Sequence, residues 1–107
     1  MTFQVKITAP AEQDLRAIYD YIAEDLQSPQ IADGWIDRLE KSILSLDRMP
    51  ERFRQYEKEP WKSRGLRVMP FENYLVFYIP KPEEQTVYII RVMYGGRDID
   101  AQLKQTK

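Results

Sequence analysis

The sequence contains no cysteine and no histidine. Without cysteine there is no disulfide, no thiolate metal ligand and no thiol nucleophile. Without histidine the commonest general base and the commonest metal ligand are both missing, so neither a zinc nor a haem site is expected. Glycine is sparse, four residues in 107, and two of these are adjacent at Gly95-Gly96. That pair reads as a break in an otherwise continuous β-type run. No apolar run approaches the ~20 residues that span a bilayer, and no signal peptide opens the chain. The expectation is a cytoplasmic protein that engages no membrane.

What is present is an ordinary globular composition, with 43% hydrophobic and 31% charged residues. A chain of 107 residues reads as a single domain, 1–107, with a polar tail from about Lys104. The net charge is −1, which argues against a protein built to coat nucleic acid. The charge is unevenly spread, however. Between Arg48 and Arg67 stand seven basic and three acidic residues, a net of +4, which leaves −5 on the rest of the chain. This window reads either as a solvated loop or as an anion-binding patch on an acidic scaffold.

Phe3 to Thr8 alternates apolar and polar residues and predicts a half-buried strand. Ala9-Pro10-Ala11-Glu12 starts a helix, because proline suits the first turn and Glu12 complements the dipole. Ala11, Leu15, Ile18, Ile22 and Leu26 form its apolar stripe. Ser28-Pro29 starts a second helix with the stripe Ala32, Trp35, Ile36, Leu39, Ile43 and Leu46, ended by Met49-Pro50. Two helices joined this closely predict an antiparallel hairpin. Residues 50–62 predict a loop with a short helical piece, tacked down by Phe53, Tyr56 and Trp61.

Three β-type runs follow. Ser63 to Met69 alternates, with Leu66 and Val68 on one face and Arg67 on the other. Tyr74 to Ile79 is continuously apolar and predicts a central strand covered on both faces. Pro80 to Gln85 predicts a hairpin loop in which Pro80 stops the ladder. Thr86 to Tyr94 predicts the longest strand, and Asp98 to Leu103 a short helical turn. The fold class is α+β, in the order β-α-α-β-β-β, with an N-terminal helical hairpin packed on a small, mostly antiparallel sheet.

Arg67 and Arg91 interrupt apolar strands, where an arginine is costly unless its face is a site or it is paired. Guanidinium groups suit phosphate through planar bidentate donation, so the pair is a candidate phosphodiester cradle on the sheet face opposite the helices. The alternative is internal ion pairing with Asp98, Asp100 or Glu72.

The ordered set Ala11…Asp14-Leu15…Ile18…Tyr21-Ile22, Leu46…Met49-Pro50, Gly65-Leu66-Arg67, Tyr74 to Tyr78, and Ile90-Arg91-Val92-Met93-Tyr94-Gly95-Gly96-Arg97-Asp98 resembles the RelE/ParE superfamily. These are the toxin halves of bacterial type II toxin–antitoxin pairs, and the resemblance covers nearly the whole chain. It implies a cognate antitoxin as partner, no metal and no organic cofactor. It also implies one of two mechanisms. RelE-like members cleave mRNA on the ribosome, while ParE-like members inhibit DNA gyrase and cleave nothing.

For the first, Glu59-Pro60-Trp61-Lys62 looks like the segment that carries the proposed base in related nucleases. Arg67 and Arg91 match the family's phosphate-stabilising arginines, and Tyr94 falls near its end-of-strand tyrosine or histidine. Lys58, Lys62, Arg64 and Arg97 would then hold neighbouring phosphates. The catalytic set expected on this reading is Glu59, Arg67, Arg91 and Tyr94, a metal-independent endoribonuclease acting on ribosome-bound mRNA. The alternatives are a gyrase inhibitor, which needs no acid or base, and a degenerate toxin fold that only binds antitoxin.

Overall fold

The computed structural model describes residues 2–96 and 98–106. Strand β1 (Gln4–Ile7) leads into α1 (Ala9–Asp20), with Pro10 in its first turn. A π-helical turn, Tyr21–Asp25, follows before α2 (Pro29–Leu44). After two 3-10 turns (Ser45–Asp47, Pro50–Arg52) come α3 (Trp61–Arg64), β2 (Arg67–Phe71), β3 (Tyr74–Lys81), β4 (Thr86–Tyr94) and α4 (Ile99–Lys104). The strands form one sheet in the order β1-β4-β3-β2, with β1 parallel to β4 and the other pairs antiparallel. This is the expected α+β architecture.

Both faces of the sheet are covered. The helical hairpin buries Ala11, Leu15, Trp35, Leu39 and Ile43 against Met69, Val76, Tyr78 and Val92. On the other face Trp61, Leu66, Val68, Phe77, Met93 and Leu103 form a second cluster, closed by α3 and α4. The continuous apolar run of β3 is thereby explained, since alternate residues enter the two clusters. Phe53 packs on the first cluster and Tyr56 on the second, so the connecting loop is anchored by aromatics as its composition predicts.

Three expectations are corrected. Leu26 lies outside the core, 57% exposed, because the π turn inserts a residue and rotates the helix end away from the stripe. The alternation from Ser63 does not begin a strand: Trp61–Arg64 is a helical turn closed by Gly65 at φ 85°, and β2 starts at Arg67. Pro80 does not end β3. It pairs opposite Val87, and β2 reaches β3 only as far as Tyr78, so the missing N–H has an open side to face.

Candidate functional site

The local geometry of β4 decides where its functional side chains go. Phe77 pairs with Arg91, but Tyr78 pairs with Ile89, so Ile90 is an extra residue in a β-bulge. Tyr94 pairs with Tyr74 and Arg91 with Phe77, with regular pairing between, so the two side chains lie on opposite faces. Arg67, opposite Tyr78, is on the helix-hairpin face, whereas Arg91, opposite Phe77, is on the other. The expected shared arginine face is therefore not formed.

Arg91 lies at the open edge of β4, past the end of β1, where α1 runs alongside. Its Nε donates to Asp14 Oδ2 at 2.6 Å and its Nη2 to Asp14 Oδ1 at 2.9 Å, and both side chains are only 14% exposed. Asp14 Oδ2 also accepts from the Val92 backbone N–H at 2.9 Å, which caps the free edge. The Arg91 Nη1 donates to Thr106 Oγ1 at 2.9 Å, beyond α4. One side chain thus ties α1, β4 and the segment after α4 together. The partner is Asp14, rather than the residues expected for an internal pair: Asp98 caps α4, Asp100 binds Lys58 and Glu72 binds Arg38.

Arg67 reads backbone carbonyls. Its Nη1 donates to Phe53 O at 2.7 Å and Glu51 O at 3.0 Å, and its Nη2 lies 3.9 Å from the Glu51 carboxylate. It pins the loop that Tyr78 also holds, through a hydroxyl donating to Pro50 O at 2.6 Å.

Glu59 is exposed beside α3. It accepts from the Ser63 hydroxyl at 2.7 Å and the Ser63 N–H at 2.9 Å, and these two bonds hold its carboxyl below the usual range. Next to it Asp100 accepts from Lys58 and Tyr56, which lowers the Asp100 carboxyl. Burial, then the bond to Asp100, pushes the Tyr56 phenol up to about 12. Arg64 stacks over Trp61, 4.8 Å from the ring centroid. Tyr94, half exposed, packs edge-on against Tyr74 and shares with Tyr21 an apolar cleft of about 500 Å³ between α1 and β4.

The four expected catalytic residues line four different clefts. Glu59 is grouped with Lys58 and Arg64, Arg67 with Arg54 and Lys62, Arg91 with Asp14 and Gln102, and Tyr94 with Tyr21 and Tyr74. Arg97 lies outside the described residues. Asp14 stands in the set that carries the family resemblance, but the sequence assigns it no role. Its signal was its place immediately before Leu15 on an amphipathic helix, off the apolar stripe yet one position from its centre.

Residues 5–99 match the family described as ParE toxin of type II toxin-antitoxin system, parDE. No curated protein matches the sequence. Among solved structures, the chromosomal ParDE toxin–antitoxin system of P. aeruginosa superposes with a TM-score of 0.73 at 22% identity, covering 87% of this chain and 96% of that one. The toxin–antitoxin complex RelBE2 from Mycobacterium tuberculosis gives 0.62 at 23% identity, covering 88% and 99%. The intact E. coli RelBE complex gives 0.58 at 13% identity, covering 89% and 99%. At these identities the likeness to solved structures speaks for the fold.

Proposed function

Because this chain belongs to the ParE toxin family of type II toxin–antitoxin systems, we propose that it arrests growth by binding DNA gyrase and cleaves no RNA. The observation that carries this reading is that Arg67 and Arg91 lie on opposite faces of the sheet and that each guanidinium is held by internal partners. Cleavage by 2′-hydroxyl attack needs a base, a cation and an acid within hydrogen-bond reach of one phosphate. Here the guanidinium of Arg91 is saturated by a buried carboxylate and that of Arg67 holds carbonyls. The carboxylate of Glu59 accepts twice from Ser63, which lowers its basicity. A chain without histidine has no substitute base tuned to neutral pH.

A toxin that works by occupying a protein target needs none of these groups. It needs a rigid scaffold with exposed contacts, and the double-faced core supplies the scaffold. In this reading the partner that neutralises it is a cognate antitoxin, as in the toxin–antitoxin complexes of similar fold. The antitoxin buries the cleft of Tyr21, Tyr74 and Tyr94, where the half-exposed rings of Tyr21 and Tyr94 suit an apolar segment.

The test is induction of the chain alone in bacteria, with mRNA 5′ ends mapped within minutes. Growth arrest with unchanged 5′ ends is the expected outcome. New ends at a fixed codon position in translated frames would restore the nuclease.

A further inference from the structure

The cleft between α1 and β4 has a rigid aromatic wall. Tyr94 packs edge-on against Tyr74, 5.8 Å between ring centroids, and Tyr74 packs against Trp35 at 5.2 Å. The turn after β4 closes on the same ring. A Cβ at Gly96 would lie 2.8 Å from Tyr94 Cε2, so the chain passes there only as glycine. Tyr94 is thus fixed by a packed aromatic and by backbone, while half of it stays in solvent. Tyr21, equally exposed, lines the same cleft from α1. Apolar residues exposed singly are ordinary, but two rings sharing one cleft form a patch.

The charge around this patch has one sign. Among the described residues no lysine or arginine lines the cleft, and its carboxylate, Asp14, is committed to Arg91. No basic residue stands in the last turn of α1 or of the π turn, so the negative end of the helix is uncompensated. Asp20, Glu24 and Asp25 flank Tyr21 there, exposed and without an ion pair among the described residues. Residues 9–47 carry nine acidic and three basic side chains, a net of −6 on a protein whose net charge is −1. The Tyr74 phenol reports the same field, since burial first, then Tyr21, Tyr94 and Glu72, push it above its ordinary value. The group that complements both features is flat, apolar on its faces and positively charged. A guanidinium stacks on aromatic rings, is weakly hydrated and keeps its charge at any working pH. A carboxylate is repelled here, and an aliphatic side chain leaves the field unused.

We infer that this cleft receives an arginine side chain from the surface of the toxin's protein target, its guanidinium stacked on Tyr21 and Tyr94 beside the acidic end of α1. The inference rests on the reading above only in that the target is a protein. An antitoxin segment that buries the same two rings then shuts the target out.

The test titrates the full chain with the probe peptide acetyl-Gly-Ser-Arg-Ser-Gly-amide and follows the tyrosine ring resonances by NMR. The same peptide with citrulline, the uncharged isostere of arginine, is the control. The arginine peptide is expected to shift the Tyr21 and Tyr94 rings, and the citrulline peptide to bind about tenfold or more weakly. The double variant Tyr21→Ala, Tyr94→Ala, with an unchanged far-ultraviolet dichroism spectrum, is expected to bind the arginine peptide about tenfold more weakly and to lose growth arrest when expressed alone. Tyr21→Phe, Tyr94→Phe should recover both relative to the alanine pair, because the ring faces return. The inference is overturned by unmoved Tyr21 and Tyr94 resonances, by equal binding of the citrulline peptide, or by undiminished growth arrest from the alanine pair. Cleaved mRNA on induction would overturn the protein-target reading, and the inference with it.

Discussion

Asp14 makes three hydrogen bonds through two oxygens, two to the Arg91 guanidinium and one to the Val92 N–H. Both side chains of the ion pair are largely out of water. Removing one partner of such a pair strands the other, at a cost of about 3 kcal/mol. Asp14→Ala and Arg91→Ala are each expected to lower unfolding stability by about that amount in urea denaturation. Toxicity lost on Arg91→Ala should therefore accompany a lower melting temperature; an unchanged melting temperature with abolished toxicity would instead point to a phosphate role. Tyr78 gives a smaller effect of the same kind. Its hydroxyl is buried and donates to Pro50 O, so Tyr78→Phe should cost about 1 kcal/mol, read from the same denaturation curves.

At the scale of elements, α4 is a short strap whose attachment is both apolar and electrostatic. Leu103 is fully buried against Trp61, Phe77 and Met93, so Leu103→Ala should cost about 3 kcal/mol, measured by equilibrium unfolding. The polar attachment runs through Asp100, and its pH dependence has a definite sign. The Asp100 carboxyl is depressed chiefly by Lys58 and then by Tyr56, so its contribution is present above the ordinary carboxylate pKa and is lost as pH falls through the lowered value. The Tyr56 phenol is raised to about 12, so its contribution is full below about 10 and is lost as pH rises through about 12. The amides of α4 should be best protected from exchange between these limits and lose protection at both ends. Asp100→Asn should remove the acid limb.

Elements with a clear apolar period were legible in the sequence. The alternation in β1, the two helical stripes and the continuous run of β3 each report which faces are buried, and burial sets the period. What was illegible depended on local backbone geometry that leaves little mark on period. The π turn displaced Leu26, the Gly65 cap ended α3 where alternation suggested a strand, and β3 ran through Pro80 because its neighbour ended early. The candidate site was legible as a set of residue types but not as an arrangement. The bulge at Ile90 and the reach of Asp14 across the open edge settle where Arg91 points, and neither has a sequence signature of its own.

For the whole molecule, the distribution of charge follows from what the cations already do. Of the basic window, Arg52 and Arg67 hold carbonyls, Lys58 pairs with Asp100, and Arg64 lies over Trp61. Much of the apparent anion-binding patch therefore serves to fix a loop that has little regular structure. Arg54 and Lys62 remain outward and exposed, with no ion pair among the described residues. The body of the molecule is a sheet sandwiched between two apolar layers.

Under the function proposed above, the toxin stops growth through gyrase and not through RNA chemistry. The direct measurement is a supercoiling assay with purified gyrase, relaxed plasmid, ATP and the purified chain, without ribosomes. Dose-dependent loss of supercoiling is expected, with Glu59→Gln as potent as the unaltered chain. Full supercoiling at saturating toxin, from a preparation that arrests growth when expressed, would contradict it.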